Sequence, residues 1–136
     1  MSARPGILGL INRAKTTLDF EAEVIGDQEV TAAFCSAQAR GVITRGVLSD
    51  TTPSTTQQNA VKKLKDCGVA LFTLAKPYVH SKAIVVDGQS IYVGSVNFTM
   101  TSLDKNRELG LITSTAVAVE PVRKTVAADI AAGTAL

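Results

Sequence analysis

One stretch of this chain, His80 to Asn97, carries residue types that could do chemistry together: HSKAIVVDGQSIYVGSVN. His80 is the only histidine, and it is followed at fixed intervals by Lys82, Asp87, Gly94, Ser95 and Asn97. A neutral imidazole can act as a nucleophile or as a general acid or base near neutral pH. A lysine and an asparagine beside it can stabilise charge on the non-bridging oxygens of a phosphate ester, most strongly in the transition state. Such a set requires no metal, and none is expected. With one histidine, two cysteines and no Cys-x-x-Cys, the chain has no evident zinc site.

These residues need elements that bring them together. His80 and Lys82 are two apart on an expected strand, so both side chains leave one face. Asp87-Gly88 is a strong hairpin signal. With a two-residue turn, His80 faces Ser95 and Tyr78 faces Asn97; with a four-residue turn, Lys82 faces Ser95 and His80 faces Asn97. Both registers put His80, Lys82, Ser95 and Asn97 on one face of the ribbon. Gly94 allows close backbone approach to a ligand. Asp87 lies about 23 Å from His80 along an extended strand, so it is assigned to the turn, where aspartate favours the conformation. The carboxylate expected to orient His80 is instead Glu108, at the start of the next strand. There it would fix the imidazole tautomer.

The rest of the chain alternates helix and strand. Helices are expected over about Pro5–Thr17, from an Asp27 cap to Gly41, and over about Gln57–Cys67, with a last helix opened by Pro121. Strands are expected over Leu18–Ile25 (half-buried), Val42–Leu48, Val69–Leu74, the two arms of the hairpin, and Glu108–Thr113. This order argues for an α/β fold, a mixed central sheet with helices on both faces. The length of 136 residues fits a single domain spanning 1–136.

Composition excludes more than it identifies. Apolar residues make up 46% and charged residues 19%, which marks a globular chain. A net charge of +2 argues for neither nucleic acid nor an anionic membrane. No apolar run is long enough to span a membrane and no signal peptide is expected, so the cytoplasm is the default expectation for a compartment the sequence leaves open. Cys35 and Cys67 sit in apolar helical patterns and are read as buried and reduced. The cluster Lys62, Lys63, Lys65 reads as a solvated helix face. Tyr78 and Phe98, which flank the motif, read as core or wall.

His80-Ser81-Lys82, Asp87 and Gly94-Ser95-Val96-Asn97 together resemble the signature of the phospholipase D superfamily, spacing included. Ala39-Arg40-Gly41-Val42 resembles the family's helix-to-strand corner, and Asn106-Arg107-Glu108-Leu109-Gly110 its strand after the motif. Ile43 and Thr44 stand where the family tends to put a charged residue and a valine, a departure that bears on packing. The resemblance covers about one family repeat and is closest to the C-terminal half of bacterial two-repeat members.

It implies a metal-independent phosphodiesterase or phosphatidyl transferase, without cofactor, acting on a phospholipid or a nucleic acid. In that mechanism one histidine forms a phosphohistidine while a second protonates the leaving group. His80 would take one of these roles. Lys82 and Asn97 would bind phosphate oxygens, Ser95 would assist, and Glu108 would orient His80. One histidine is half of such a site, so a second repeat must come from a homodimer partner or from an N-terminal half. The rival expectation is a catalytically incomplete module that binds phosphate esters or mediates dimerisation.

Overall fold

A computed structural model describes residues 2–136. Its seven-stranded sheet is built from β1 (Thr17–Ala22), β2 (Ile43–Ser49), β3 (Ala70–Leu74), β4 (Lys82–Val86), β5 (Ser90–Gly94), β6 (Gly110–Thr113) and β7 (Thr134–Ala135). The spatial order is β6-β5-β4-β1-β2-β3-β7. β1, β2 and β3 are parallel, while β4, β5, β6 and β7 each join antiparallel to a neighbour. The helices are α1 (Arg4–Asn12), α2 (Gln28–Ala39), α3 (Thr55–Asp66), α4 (Met100–Asp104) and α5 (Ala116–Ala132). This is the expected α/β architecture with a mixed sheet. No helix of the described residues is long and apolar enough to cross a membrane.

Two apolar layers sandwich the sheet. One joins Ile7, Leu10 and Ile11 of α1, Val30 and Phe34 of α2 and Leu64 of α3 to Leu18, Phe20, Ile84 and Tyr92 of the sheet. The other packs Val119, Val126 and Ile130 of α5 on Val47, Ala83, Val85 and Ile91. With cover on both sides, β1 is not the half-buried strand that its alternation suggests. Glu21, on the α5 face, is only 3% exposed, and Asp19 pairs with Arg45 through bonds of 2.9 and 2.6 Å.

Phe20 and Phe34 stack with ring centroids 4.1 Å apart at the centre of the first layer. Gly46 of β2 leaves the room: a Cβ there would lie 2.1 Å from Phe20 Cζ. The Gly46→Ala chain is expected to lose at least about 2 kcal/mol of stability through overpacking, measurable as a lower midpoint in urea unfolding.

Several boundaries depart from the sequence reading. The first helix ends at Asn12 because residues 15–17 are drawn onto Asp87. Its carboxylate accepts from the backbone N–H of Lys15 (3.1 Å), Thr16 (2.7 Å) and Thr17 (3.1 Å), and from the Thr16 hydroxyl (2.9 Å). Asp87 does sit in the turn, at φ 55°, and it also ties the hairpin to the start of β1. Burial pushes its carboxyl up, but the Thr16, Thr17 and Lys15 bonds outweigh this and hold it below the usual range. A depressed folded value stabilises the fold at neutral pH, and that stabilisation is lost as pH falls through the folded value. Asp87→Asn is therefore expected to unfold more easily at pH 7 and to show a shallower loss of stability below about pH 4, read from thermal melts across that range.

Pro121 does not open the last helix; it is the sixth residue of α5. The intrahelical bond it forgoes would go to the carbonyl of Val117, an exposed residue that water can reach. The strand after the motif begins at Gly110 rather than Glu108. Short α4, capped by the Thr99 side chain, and two-residue β7 were not anticipated. Neither spans enough residues to show a period.

The cysteines are corrected on both counts. Cys35 and Cys67 are half-buried and joined as a disulfide, with Cα atoms 5.6 Å apart. The bridge links α2 to the residue after α3. Two helical periodicities read separately give no sign that these positions meet.

Candidate functional site

β5, β4 and β1 are neighbours, and each is antiparallel to the next. The C-terminal end of β1, the N-terminal end of β4 and the C-terminal end of β5 therefore share one edge of the sheet. Three motif segments emerge there: Glu23 after β1, His80-Ser81-Lys82 into β4, and Ser95-Val96-Asn97 out of β5. Asp87 lies at the opposite end.

The hairpin register falls between the two expected. Lys82 pairs with Gly94, Ile84 with Tyr92 and Val86 with Ser90, leaving Asp87, Gly88 and Gln89 as the turn. Ser95 is thus one residue out of phase with Lys82, and His80 precedes the strand. The residues do not share a strand face as expected. They meet at one edge because the chain leaves the ladder at both points.

Gly94 makes room for protein rather than ligand. It pairs with Gly110 across the β5–β6 ladder, and the Tyr92 hydroxyl would lie 2.4 Å from a Cβ at Gly94. That hydroxyl accepts from the backbone N–H of Val96 at 3.3 Å, fixing the path toward Asn97.

His80 and Lys82 are brought into contact. The Lys82 side chain is 5% exposed and the His80 side chain 74%. Lys82 Nζ donates to the His80 carbonyl at 2.5 Å and lies 3.4 Å from His80 Nδ1. It also donates to Glu23 Oε2 at 2.9 Å, and that oxygen stands 3.4 Å from His80 Nε2. Tyr78 donates its hydroxyl to Glu23 Oε1 at 3.0 Å. Burial pushes the Glu23 carboxyl up, but the Lys82 and Tyr78 hydrogen bonds and the nearby positive charge hold it below its ordinary value. Tyr78 is thus a wall residue of the site, whereas Phe98 is fully buried core.

Glu108 is placed differently from the expectation that it orients His80. It accepts a short hydrogen bond from the Ser95 hydroxyl, and a 3.3 Å bond from Asn106 Nδ2. The Ser95 oxygen in turn accepts from Leu109 N–H at 3.1 Å. The Ser95 bond is the main cause of a lowered Glu108 carboxyl, with Lys82 contributing at longer range. Within the chain, the carboxylate beside His80 is Glu23.

Asn97 Oδ1 is buried without a hydrogen-bond partner among the described residues. Its neighbour Phe98 bridges to Ile25, and the Phe98 carbonyl accepts from Gly26 and Asp27 N–H. The amide therefore lies close to the end of β1, uncommitted to other side chains.

Beneath the His-x-Lys segment, the Ser81 hydroxyl donates a short bond to Glu21 Oε1. Burial, opposed by that bond and reinforced by the negative charge of Asp129 in α5, raises the Glu21 carboxyl. Glu21 Oε2 has no hydrogen-bond partner among the described residues. The sequence reading missed both Glu21 and Glu23. The only available signal was the alternation of acidic residues at 19, 21 and 23, which read as a solvated strand face.

No group of three or more His, Cys, Asp or Glu side chains suited to a metal ion occurs among the described residues. The Lys62 side chain pairs with Asp66 in an exposed i,i+4 contact at 2.5 Å, as befits a solvated helix face.

Residues 7–130 match the family model described as "Cardiolipin synthase, PLD-like domain". The chain is 31% identical over 120 residues to a mitochondrial cardiolipin hydrolase of Xenopus tropicalis, covering 88% of this chain and 57% of the relative. It is 29% identical over 126 residues to cardiolipin synthase A of Buchnera aphidicola, covering 82% of this chain and 26% of the relative. The chain thus spans about half the length, or less, of these curated relatives. Among solved structures it superposes on a phospholipase D family member, Nuc from Salmonella typhimurium. The TM-score is 0.93 at 26% identity, over 98% of this chain and 90% of that one.

Proposed function

The chain belongs to the phospholipase D-like family, and on that premise we propose that it is a metal-independent phosphodiesterase or phosphatidyl transferase whose working site is built from two His-x-Lys motifs. The observation that carries this reading is an exposed imidazole, His80, held against a buried ammonium, Lys82, at a sheet edge.

The reaction proceeds in two displacements. In the first, an imidazole nitrogen of one His80 attacks phosphorus, forming a P–N bond as the bond to the leaving oxygen breaks. That oxygen takes a proton from His80 of the partner subunit. In the second, the partner's His80 removes a proton from water, whose oxygen attacks phosphorus as the P–N bond breaks. An alcohol in place of water gives transfer instead of hydrolysis. Lys82 and Asn97 hold the non-bridging oxygens, where charge grows in the transition state. Ser95, buttressed by Glu108, adds a hydroxyl at the rim.

The second motif comes from another copy of the same chain. Val93 and Leu111 form a cross-strand pair, and with Leu109 they leave an apolar patch beside Ser95 and Glu108. Leu109 is 83% and Leu111 58% exposed. An exposed apolar patch beside the edge strand β6 is the kind of surface a second copy would cover, and in this reading a twofold axis there would bring two His80 sites together. The 90% coverage of Nuc supports the same reading, since a family member little longer than this chain exists.

Turnover of a phosphatidyl lipid, single-stranded DNA and a generic phosphodiester, measured side by side with chelator present, tests the proposal and ranks the substrates. A requirement for a divalent metal would contradict it. A strictly monomeric chain inactive on all three would favour the incomplete module.

A further inference from the structure

Lys82 offers three N–H donors, and the chain engages them itself. One goes to Glu23 Oε2 at 2.9 Å and one to the His80 carbonyl at 2.5 Å, while His80 Nδ1 stands 3.4 Å away. The Glu23 oxygen that takes Lys82 is also 3.4 Å from His80 Nε2. A carboxylate therefore already neutralises the one buried cation of the site, within reach of both groups that would receive a phosphate. Tyr78 anchors its other oxygen at 3.0 Å, and the Glu23 side chain is only 21% exposed. Glu108 adds a second carboxylate nearby.

The geometry points to Glu23 as a residue that sets the charge selectivity of the site, admitting singly charged phosphodiesters and disfavouring doubly charged monoesters and inorganic phosphate. The inference rests on the phosphoester reading above and specifies its substrate class.

The physical basis is like-charge repulsion. A phosphodiester carries one negative charge, whereas the second ionisation of a monoester lies near pH 6, so it carries nearly two at neutral pH. A carboxylate in contact with Lys82 and His80 repels the second charge as it repels the first, so the doubly charged ligand bears roughly twice the cost. Because the Lys82 and Tyr78 contacts hold the Glu23 carboxyl below its ordinary value, it stays charged wherever the monoester is doubly charged. The same repulsion favours release of a monoester product after cleavage.

His80 is the only histidine, so its imidazole NMR resonance reports binding at this site without ambiguity. Inorganic phosphate and dimethyl phosphate are titrated at about pH 8.5, where the former is almost wholly doubly charged and the latter singly charged, into the full chain, Glu23→Gln and Glu23→Ala, with thermal melts confirming that each is folded. Glu23→Gln is expected to tighten inorganic phosphate about tenfold after allowance for solvent screening, and dimethyl phosphate by no more than about threefold. Glu23→Ala, neutral but without an amide, is expected to shift the ratio in the same direction. Equal tightening of both ligands, or weaker phosphate binding in both variants, would overturn the inference and leave the phosphoester site standing. Failure of the His80 resonance to respond to either ligand in all three proteins would overturn both.

Discussion

Replacing His80 with asparagine is expected to lower phosphodiester turnover by at least about 10³-fold, since both displacements lose their nitrogen. Asparagine keeps a polar side chain at an exposed position, so the fold and the pairing of subunits should be unchanged. In the native protein, quenching with alkaline denaturant during turnover of a substrate labelled at phosphorus should trap an acid-labile, base-stable phosphoenzyme. The His80→Asn protein should trap none. Chains of the two kinds mixed and re-paired sharpen the result: a pair with one His80 retains a nucleophile or an acid but not both. Its activity should follow the fraction of pairs with two native chains. Full activity in the asparagine protein would end the phosphohistidine reading.

Placing an arginine at Leu111 is expected to abolish pairing and, with it, at least about 100-fold of the activity. Leu111 is mostly exposed within one chain, so the substitution should change monomer stability by no more than about 0.5 kcal/mol. In a twofold interface the change occurs twice, bringing two like charges together in an apolar patch. Sedimentation should show a pair for the native chain and a monomer for Leu111→Arg. A monomeric Leu111→Arg chain with native turnover would show that one His80 suffices. A pair that persists with native activity would move the interface elsewhere.

The two predictions separate two kinds of information. His80, Lys82 and Asn97 stood out as a candidate set because residue type and spacing are what a linear chain displays directly. The alternation of helix and strand was legible because its period reflects which side chains face the core. The partners of those residues were not. Glu108 looked like the orienting carboxylate by order along the chain, but it serves Ser95, while Glu23, 57 residues before His80 in sequence, lies against it. The hairpin was legible at Asp87-Gly88, yet a turn of three residues rather than two or four inverted the register and its faces. Cys35 and Cys67 paired across 32 residues for the same reason: neither helix encodes its distance to the other.

The sequence by itself determined the α/β pattern and the candidate reacting groups, which follow from local periods and residue types, and its resemblance to a family implied the reaction class to be tested and the second histidine that class would need. Only the tertiary structure decided which carboxylate holds the His80–Lys82 pair, where the motif segments converge, and which apolar surface is left uncovered. Those depend on strand order and register, and so on contacts between residues far apart in the chain. In the proposed reaction the His-x-Lys motif supplies the reacting groups, and the carboxylates at the strand ends supply the charge around them.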